Sequence, residues 1–415
     1  MRFTDGVVLF DFAGIPMVGC LDTGYAIGLT APGAAVCARL LEEDVPEEDV
    51  AAVDPALLEH LGKGGFFERV VSEPRVLSSY LHVTQRCNLD CAGCYSLDEH
   101  RNHLADAPLA AVEHALESLA EAGVMQLIIS GGEPFLRDDL PDIVEHAKRV
   151  CGIGSVTVLS NGTRMTEAAL ERLAPHVDCV SVSFDGCSAS APAYIRSEQR
   201  FDELVEAVKM VQRAGIPAHI IPTVHAKNVH DLASYVQLSR DLGASLNFSL
   251  LTCEPNDEAL GGLLPGDEEL RTLGRALLTL DNGKPLPAMD APVGVNLTVK
   301  RACGAGFKSL SIDADGTIYP CHMLHRPELA MGNAFTDSVR DALNTDVSRM
   351  FQSFDAADFE DCGTCRYLRI CGGGCRARSL FESGSLKSKD SYCRMTQEFY
   401  DVLGAAMSAS INQRR

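Results

Sequence analysis

The chain has 415 residues, of which 46% are hydrophobic and 6% aromatic, and this fits a folded protein of about two or three domains. The formal net charge is −21, because 57 acidic residues outnumber 36 basic ones. A surface this negative repels nucleic-acid phosphates and anionic lipids, so we expect neither a nucleic acid nor a membrane as a partner, whereas a basic peptide would be attracted.

Cysteines are numerous in a chain that shows no export signal. Acidic side chains interrupt any apolar stretch near the N-terminus, which is not the pattern of a signal peptide, and no apolar run reaches the roughly 18 residues of a membrane span. The 16 cysteines are therefore expected in a reducing cytoplasm, where clustered thiols usually bind metal rather than form disulfides.

Residues 1–78 are predicted to form a small α+β module. Short strand-like runs broken by glycine, proline and aspartate come first, and two helical stretches follow. The alternative is a plain N-terminal extension packed on the next domain. The predicted strands are 6–12, 16–20 and 25–29, and the predicted helices are 34–43 and 55–61.

From residue 79 the chain alternates apolar strand-like runs with amphipathic helical patterns, which predicts parallel strands joined by crossover helices. Six such units predict an α/β fold, a partial (β/α)6 barrel of TIM type over residues 79–253, with its chemistry at the carboxyl ends of the strands. A helix-bearing connector (254–302) and a cysteine-rich domain (303–415) follow. The predicted strands are 81–84, 125–130, 155–160, 179–184, 219–223 and 246–250, and the predicted helices are 108–122, 140–150, 166–173, 201–214 and 229–242.

Three closely spaced cysteines, Cys87-x3-Cys91-x2-Cys94, follow the first predicted strand of the barrel. Three thiolates can hold one iron–sulfur cube, whose irons each need one external ligand, so one iron stays open to a small molecule. A structural zinc knuckle is the alternative.

This spacing resembles the signature of the radical S-adenosylmethionine (SAM) enzymes. The resemblance implies a catalytic centre at Cys87, Cys91 and Cys94, where the open iron chelates the amino and carboxylate groups of SAM. One electron from the cluster then cleaves SAM to a 5′-deoxyadenosyl radical, which abstracts a hydrogen atom from the substrate. The residue before the third cysteine is usually aromatic in this family but is Gly93 here, so Tyr95 is the candidate for ring packing near the adenine.

The second barrel strand ends in Ser130-Gly131-Gly132-Glu133-Pro134, which resembles the GGEP motif of the same family. Glycines let a backbone approach a ligand closely, and a glutamate can accept a hydrogen bond from an ammonium group. The resemblance therefore implies that this motif contacts the SAM amino group.

Polar residues also follow the third and fourth strands. Ser160 and Asn161, and then Ser183 and Asp185, lie where family members surround SAM, and their side chains suit ribose hydroxyls. The alternative is that they only form turns at the strand ends. Arg196 matches an arginine that pairs with the SAM carboxylate in this subfamily, where a guanidinium fork fits two oxygens, although it could instead be a solvated surface charge.

Seven further cysteines occupy the C-terminal region, and their spacing resembles the SPASM domain of radical SAM enzymes that act on peptides and proteins. That domain holds two auxiliary 4Fe–4S clusters, so the resemblance implies SAM and three 4Fe–4S clusters as cofactors. The outer auxiliary cluster would be held by Cys362, Cys365, Cys371 and Cys393, and the inner one by Cys303, Cys321 and Cys375.

The inner set lacks one ligand, because two fully ligated cubes need eight thiolates. Cys253 is the nearest candidate for the eighth. The alternative is an open iron that faces the substrate and can bind a substrate thiolate or take an electron from the product radical.

The two cluster-binding regions together predict a radical SAM oxidoreductase that matures a ribosomally made peptide by forming a thioether or carbon–carbon cross-link. The element order of residues 1–78 resembles the winged-helix-like peptide-recognition domain of such maturases, in which a leader peptide adds a strand to the sheet edge. The expected partners are a precursor peptide with its leader and an electron donor such as a flavodoxin or ferredoxin.

Two other functions stay open. A sulfatase-maturing type of enzyme oxidises a Cys or Ser to formylglycine, and its relatives carry an aspartate as general base directly after the second SPASM cysteine. That position is His322 here, which counts against this function, although a histidine could serve as the base. The other alternative is an electron carrier with three clusters and no chemistry of its own.

Overall fold

The computed structural model describes residues 1–68, 75–253, 257–258, 260–281, 284, 286–288 and 291–413. Parts of the predicted 1–78 module and of the predicted 254–302 connector lie outside the described residues.

The N-terminal module is a three-stranded antiparallel sheet with three helices packed against it. β1 (Val7–Phe12) and β2 (Ile15–Cys20) are joined by Ala13 and Gly14, which have φ of 54° and 83° and so form the tight hairpin turn that matches strand twist. β3 (Ala26–Gly28) pairs with β2 and forms the edge of the sheet. The helices are α1 (Ala31–Glu42), α2 (Glu47–Val53) and α3 (Pro55–Lys63).

This module has its own hydrophobic core, in which Leu40 and Leu61 are fully buried, apart from the main core of the chain. Asp54 caps α3 by accepting a hydrogen bond from the amide of Ala56 (2.9 Å). The hairpin reaches the main core through Phe12, whose ring meets Tyr400 edge-on at 5.8 Å between centroids. The predicted strands and both predicted helices are present, whereas α2 was not predicted.

The barrel has parallel strands that alternate with helices, as predicted. Its sheet runs in the order β10-β8-β7-β6-β5-β4, with β9 pairing beside β8, and continues beyond β4 with β11 (Ser309–Ile312) and β12 (Ile318–Tyr319). The strands are β4 (Ser78–His82), β5 (Gln126–Ser130), β6 (Ser155–Ser160), β7 (Cys179–Phe184), β8 (Ala218–Val224), β9 (Ser245–Leu246) and β10 (Ser249–Leu250). The helices are α4 (Leu109–Glu121), α5 (Leu140–Glu145), α6 (Glu167–Leu173), α7 (Phe201–Arg213) and α8 (Leu232–Leu242), and α5 continues as a π-helical turn (His146–Val150).

Two predicted strand positions were wrong. The first strand does not span 81–84 but starts at Ser78, because the polar residues Ser78 and Ser79 pair with β11 (Ser309–Ile312) from the far C-terminal region. The sixth strand, predicted at 246–250, is split into β9 and β10, because Phe248 leaves the ladder and bridges to Ala288 instead.

The C-terminal region extends the same sheet. β11 lies parallel to β4 and antiparallel to β12 (Ile318–Tyr319), so this region is joined to the first barrel strand by backbone hydrogen bonds. None of the helices in the described ranges combines the length and hydrophobicity needed to cross a bilayer. The remaining helices are α9 (Asp267–Thr279), α10 (Val339–Ala342), α11 (Asp346–Gln352), α12 (Leu368–Cys371), α13 (Arg376–Ser383) and α14 (Cys393–Gln413).

Candidate active site at the barrel mouth

One cavity at the carboxyl ends of the barrel strands brings most of the predicted site residues together. Its wall includes the three-cysteine loop, the strand tips and part of the C-terminal region. Of the predicted SAM contacts, only Glu133 and Pro134 do not line it. The predicted residues that line it are Cys87, Cys91, Cys94, Tyr95, Gly131, Gly132, Ser160, Asn161, Ser183, Asp185, Arg196 and His322.

The two glycines after β5 are required by backbone packing. A Cβ on Gly131 would lie 2.3 Å from the carbonyl oxygen of Thr84, and a Cβ on Gly132 would lie 2.1 Å from that of Arg86. Gly131 also has a φ of 123°, which L side chains rarely adopt. These glycines let the GGEP loop press against the segment that leads into the three cysteines, a role that the sequence did not reveal.

Glu133 is fully buried behind the cavity wall and ties two strand ends together. Its Oε1 accepts hydrogen bonds from Ser160 Oγ (2.8 Å) and the Phe135 amide (3.1 Å), and its Oε2 accepts one from the Asn161 amide (2.7 Å). Burial raises the pKa of Glu133, and these three donors oppose the rise. The carboxylate thus fixes the tip of β6, and its contact with a SAM amino group stays a prediction.

Arg196 offers a buried guanidinium to the cavity. The backbone amides of Ile195 and Arg196 donate to Asp185 Oδ2 (2.8 and 2.9 Å), and Arg196 Nη2 donates to the Ser183 carbonyl (2.9 Å). Arg196 Nη1 is buried without a hydrogen-bond partner among the described residues. Because an unsatisfied buried donor is costly, this atom fits a carboxylate bound in the cavity.

The thiol of Cys91 lies beside that guanidinium. Burial raises the pKa of Cys91 to about 11, while Arg196 opposes the rise. Cys87 and Cys94 line the cavity with it, and the amide of Cys87 donates to Asn102 Oδ1 (2.7 Å), which anchors the loop. Metal binding deprotonates such thiols, so this donor set suits a cluster held by three cysteines.

Gly93 and Tyr95 explain the departure from the usual family pattern. Gly93 has a φ of 63°, which strains any L side chain, and a Cβ there would lie 2.0 Å from Leu260 Cδ1, so a larger residue would have to displace the Leu260 side chain. The Tyr95 hydroxyl forms a hydrogen bond with Ser130 Oγ (2.5 Å), and its ring lies in the cavity wall. An aromatic group is therefore present near the place where the family usually has one.

His322 is largely buried in the cavity wall. Its ring stacks on Tyr80 (4.0 Å between centroids) and meets Tyr95 edge-on (5.2 Å), and its Nδ1 lies 3.6 Å from Cys321 Sγ. The histidine therefore lies between the cavity and the inner cysteine set, and its action as a base stays a prediction.

A buried polar network that the sequence did not reveal joins the barrel to the C-terminal region. Asp313 Oδ1 is 3.2 Å from His82 Nδ1 and 3.1 Å from Gln85 Nε2, and Asp313 Oδ2 is 3.6 Å from His325 Nδ1. The amide of Ala314 also donates to Oδ1 (2.8 Å). Burial lowers the pKa of His82 to about 4, so His82 is neutral at pH 7. Although these side chains could hold a metal ion, the carboxylate is already satisfied by hydrogen bonds.

The four predicted outer ligands line one small cavity, which also contains Asp390. The run from Gly372 to Gly374 has φ values of 63°, 80° and 78°, and this left-handed turn leads from the third ligand to Cys375. Burial raises the pKa of Cys371 to about 12 and that of Cys393 to about 11. Four thiols around one cavity, one of them buried and three partly buried, fit a fully ligated cube.

The predicted inner ligands belong to a single hydrophobic cluster of the C-terminal region: Cys303, Cys321 and Cys375. Burial raises the pKa of Cys303, and its electrostatic neighbours are Cys321, Arg376 and Lys300. Cys253 packs elsewhere, against Leu260 and the barrel loops, and lines a second cavity of about 400 Å³.

Comparison with known proteins identifies two domains in the parts of the chain that contain the predicted cysteine sets. Residues 81–238 match the radical SAM superfamily, and residues 303–366 match the iron–sulfur cluster-binding SPASM domain. AdoMet-dependent heme synthase of Methanosarcina barkeri is 27% identical (78% of this chain, 97% of the relative). Mycofactocin maturase MftC of Mycolicibacterium smegmatis is 29% identical (79% and 84%), and PqqA peptide cyclase of Gluconobacter oxydans is 27% identical (77% and 91%).

Two solved structures share the fold. SuiB of Streptococcus suis bound to precursor peptide SuiA superposes with a TM-score of 0.62, 16% identity, and coverage of 94% of this chain and 99% of SuiB. The protein anSMEcpe bound to AdoMet and the Cp18Cys peptide superposes with a TM-score of 0.65, 18% identity, and coverage of 81% and 99%.

The barrel and its clustered thiols define an α/β enzyme that depends on iron–sulfur chemistry. The chain carries a radical SAM domain over residues 81–238 and a SPASM domain over residues 303–366, and these two domains imply SAM and 4Fe–4S clusters as its cofactors. The predicted family and fold class are thereby confirmed.

Replacing Arg196 by Met should weaken SAM binding by roughly tenfold to a hundredfold, because a hydrogen bond to a charged group contributes about 1.5–3 kcal/mol. Anaerobic calorimetry with SAM measures the change. Arg213→Met is the control, since Arg213 is exposed at the end of α7, pairs with Glu167 and Glu206, and does not line this cavity. Equal affinity in wild type and Arg196→Met would contradict the carboxylate role.

Replacing Cys253 by Ala should leave the iron content and the auxiliary-cluster spectra unchanged, because Cys253 packs with the barrel loops. Iron analysis and electron paramagnetic resonance (EPR) of the reconstituted protein measure this. Cys375→Ala, which removes a predicted inner ligand, is the positive control and should lose a cluster. If Cys253→Ala loses one as well, Cys253 is the eighth ligand.

Proposed function

We propose that this radical SAM enzyme modifies a ribosomally made peptide by forming a thioether or carbon–carbon cross-link between side chains. The observation that carries the proposal is the N-terminal module. It has its own core, it contacts the main core, and no strand in the described part of the chain covers the outer edge of β3. An uncovered edge next to a cofactor domain is suited to hold an extended peptide segment.

The named activities of relatives support a peptide substrate. Mycofactocin maturase and PqqA peptide cyclase are similar to this chain, and SuiB was solved with precursor peptide SuiA. The superposition on SuiB covers 94% of this chain, which requires most of the N-terminal module to be matched. The similarity to a heme synthase gives a second candidate, action on a heme precursor.

The site residues receive these roles in the proposal. Bound SAM, given one electron through the cluster, supplies a 5′-deoxyadenosyl radical that removes a hydrogen atom from the substrate. Cys87, Cys91 and Cys94 hold the cluster, and Arg196 binds the SAM carboxylate. Tyr95 closes the cavity wall beside Ser130.

The second half of the reaction falls to the C-terminal region. Cross-linking removes one hydrogen atom by the radical and one proton from the attacking group, which leaves one surplus electron. We propose that the seven C-terminal cysteines hold two auxiliary 4Fe–4S clusters and that these clusters accept the electron. Together with the cluster held by Cys87, Cys91 and Cys94, the enzyme then carries three clusters. His322 is the candidate that accepts the proton, since it lines the cavity beside Cys321. A cytoplasmic flavodoxin or ferredoxin would supply the starting electron.

Formylglycine formation is less favoured because its usual carboxylate base is absent after Cys321. The buried carboxylate of Asp313 does not replace it, since it is engaged by His82 and Gln85 and does not line the cavity. An electron carrier would not need a cavity with an unsatisfied guanidinium donor at the barrel mouth.

Reduced, reconstituted enzyme incubated anaerobically with SAM should release 5′-deoxyadenosine. With the precursor peptide from a neighbouring gene, the peptide should lose two hydrogen atoms in mass. Chromatography and mass spectrometry measure both products, and Cys91→Ala is the control that should give neither. Deoxyadenosine without any peptide product, together with conversion of a heme precursor, would overturn the peptide role.

Backbone pairing in the module allows a sharper test of leader binding. The amide of Leu29 donates to Pro16 and that of Cys20 to the carbonyl of Tyr25, so Ile27 also faces β2 in this register. The amides of the alternating residues, Ala26 and Gly28, therefore point to the uncovered edge.

Ala26→Pro should weaken binding of the precursor peptide at least about tenfold, because proline lacks the outward amide that a docked strand would use. Fluorescence anisotropy with labelled peptide measures the affinity. Ala26→Val keeps the amide and should bind as wild type, and SAM cleavage without peptide should be unchanged in both. Equal peptide affinity for the proline variant would rule out leader binding at this edge.

A further inference from the structure

Arg376, directly after the predicted inner ligand Cys375, is a buried guanidinium whose hydrogen bonds all go to neutral groups. Its side chain is 1% exposed. Nη1 donates to the carbonyls of Leu386 (2.8 Å) and Ser388 (2.9 Å), and Nη2 donates to the carbonyl of Gly373. These bonds engage both terminal nitrogens but do not neutralise the charge of the guanidinium, which arginine keeps at all relevant pH values.

The nearest carboxylate is already paired with another arginine. Arg378 is also buried, and its Nε and Nη2 donate to the two oxygens of Asp390 (2.7 and 2.8 Å). Asp390 attracts Arg376 as well, but one carboxylate cannot neutralise two guanidinium groups. The described side chains of this pocket therefore carry an excess positive charge away from water.

The other groups that attract Arg376 are cysteines from both predicted sets. It interacts electrostatically with Cys303 and Cys375 of the inner set and with Cys362 of the outer set. Its guanidinium also lies 4.4 Å from the ring centroid of Phe359, which helps to keep water away. Arg376 therefore lies near ligands of both sets.

Lys300 is partly buried and interacts electrostatically with Cys303 and Cys371, so it adds a second positive charge near both sets. A buried charge is strongly unfavourable unless a countercharge lies close to it. Iron–sulfur cubes with thiolate ligands are net negative, and their potentials depend on nearby charge and burial. The geometry points to Arg376 as a shared charge partner of both auxiliary clusters, which raises their reduction potentials.

The effect follows from simple electrostatics. Reduction adds one electron, and hence one negative charge, to a cluster that already faces the guanidinium. The positive charge stabilises the reduced state more than the oxidised state, so each cluster accepts an electron more readily. This inference rests on the proposed function only for the source of that electron, a substrate radical that is oxidised by one electron as the cross-link forms.

Replacing Arg376 by Gln removes the charge but keeps an amide donor for the Gly373 carbonyl. All variants are made in the full chain with Cys91→Ala, so that only the auxiliary clusters titrate. EPR-monitored redox titration with dithionite should show at least a tenfold lower ratio of reduced to oxidised cluster at a fixed potential, which corresponds to about 59 mV for one electron. Arg376→Lys keeps the charge and should stay close to the unsubstituted arginine.

Arg394→Gln is the matched control. Arg394 also follows a predicted ligand directly, Cys393, but its side chain is 42% exposed and its charge is screened by water, so no shift is expected. Loss of iron in Arg376→Gln but not in Arg376→Lys would also support charge compensation. Unchanged potentials in Arg376→Gln, or equal shifts or equal iron loss in both Arg376 variants, would overturn the inference. Neither SAM nor peptide enters the measurement, so a failed peptide assay leaves its outcome intact.

Discussion

The arrangement of the site depends on a backbone contact between two loops that extend β4 and β5 beyond their ends. The amide of Gly132 donates to the Thr84 carbonyl (2.7 Å), and the amide of Glu133 donates to the Arg86 carbonyl (2.8 Å). Side chains at Gly131 or Gly132 would occupy the space of those carbonyls. This contact fixes the start of the three-cysteine loop against the end of β5. The predicted cluster site and the predicted SAM site therefore share one backbone frame.

A second constraint joins the C-terminal region to that frame. β11 extends the barrel sheet by pairing with β4, and Asp313 at its end contacts His82 at the end of β4. The segment that follows carries His322, directly after Cys321, to the cavity wall, where His322 stacks on Tyr80. The paired strands β4 and β11 therefore set the distance between the predicted SAM site and the predicted inner cysteine set.

The sequence predicted what depends on local pattern and missed what depends on distant contacts. The alternation of strand and helix patterns predicted the barrel, and the cysteine spacing predicted the two cluster-binding regions. The start of β4 was placed too late because Ser78 and Ser79 look like loop residues until β11 pairs with them. The contact between His82 and Asp313 joins residues 231 positions apart, so no spacing rule could reveal it.

The sequence located residues of the site, but it described the role of each residue less completely. Gly131 was predicted to admit a ligand, yet its conformation is required by the neighbouring loop. Glu133 was predicted to meet SAM, yet its carboxylate is used by Ser160 and Asn161. Arg196 was identified from its position, and its unsatisfied Nη1 became visible only in the folded chain.

EPR spectroscopy of the reduced, reconstituted enzyme with and without SAM tests the central claim most directly. If the three-cysteine loop presents an open iron to SAM, adding SAM should change the g values of one reduced cluster, and Cys91→Ala should lose that response while keeping the auxiliary signals. Spectra that are identical with and without SAM in the wild-type enzyme would contradict the account.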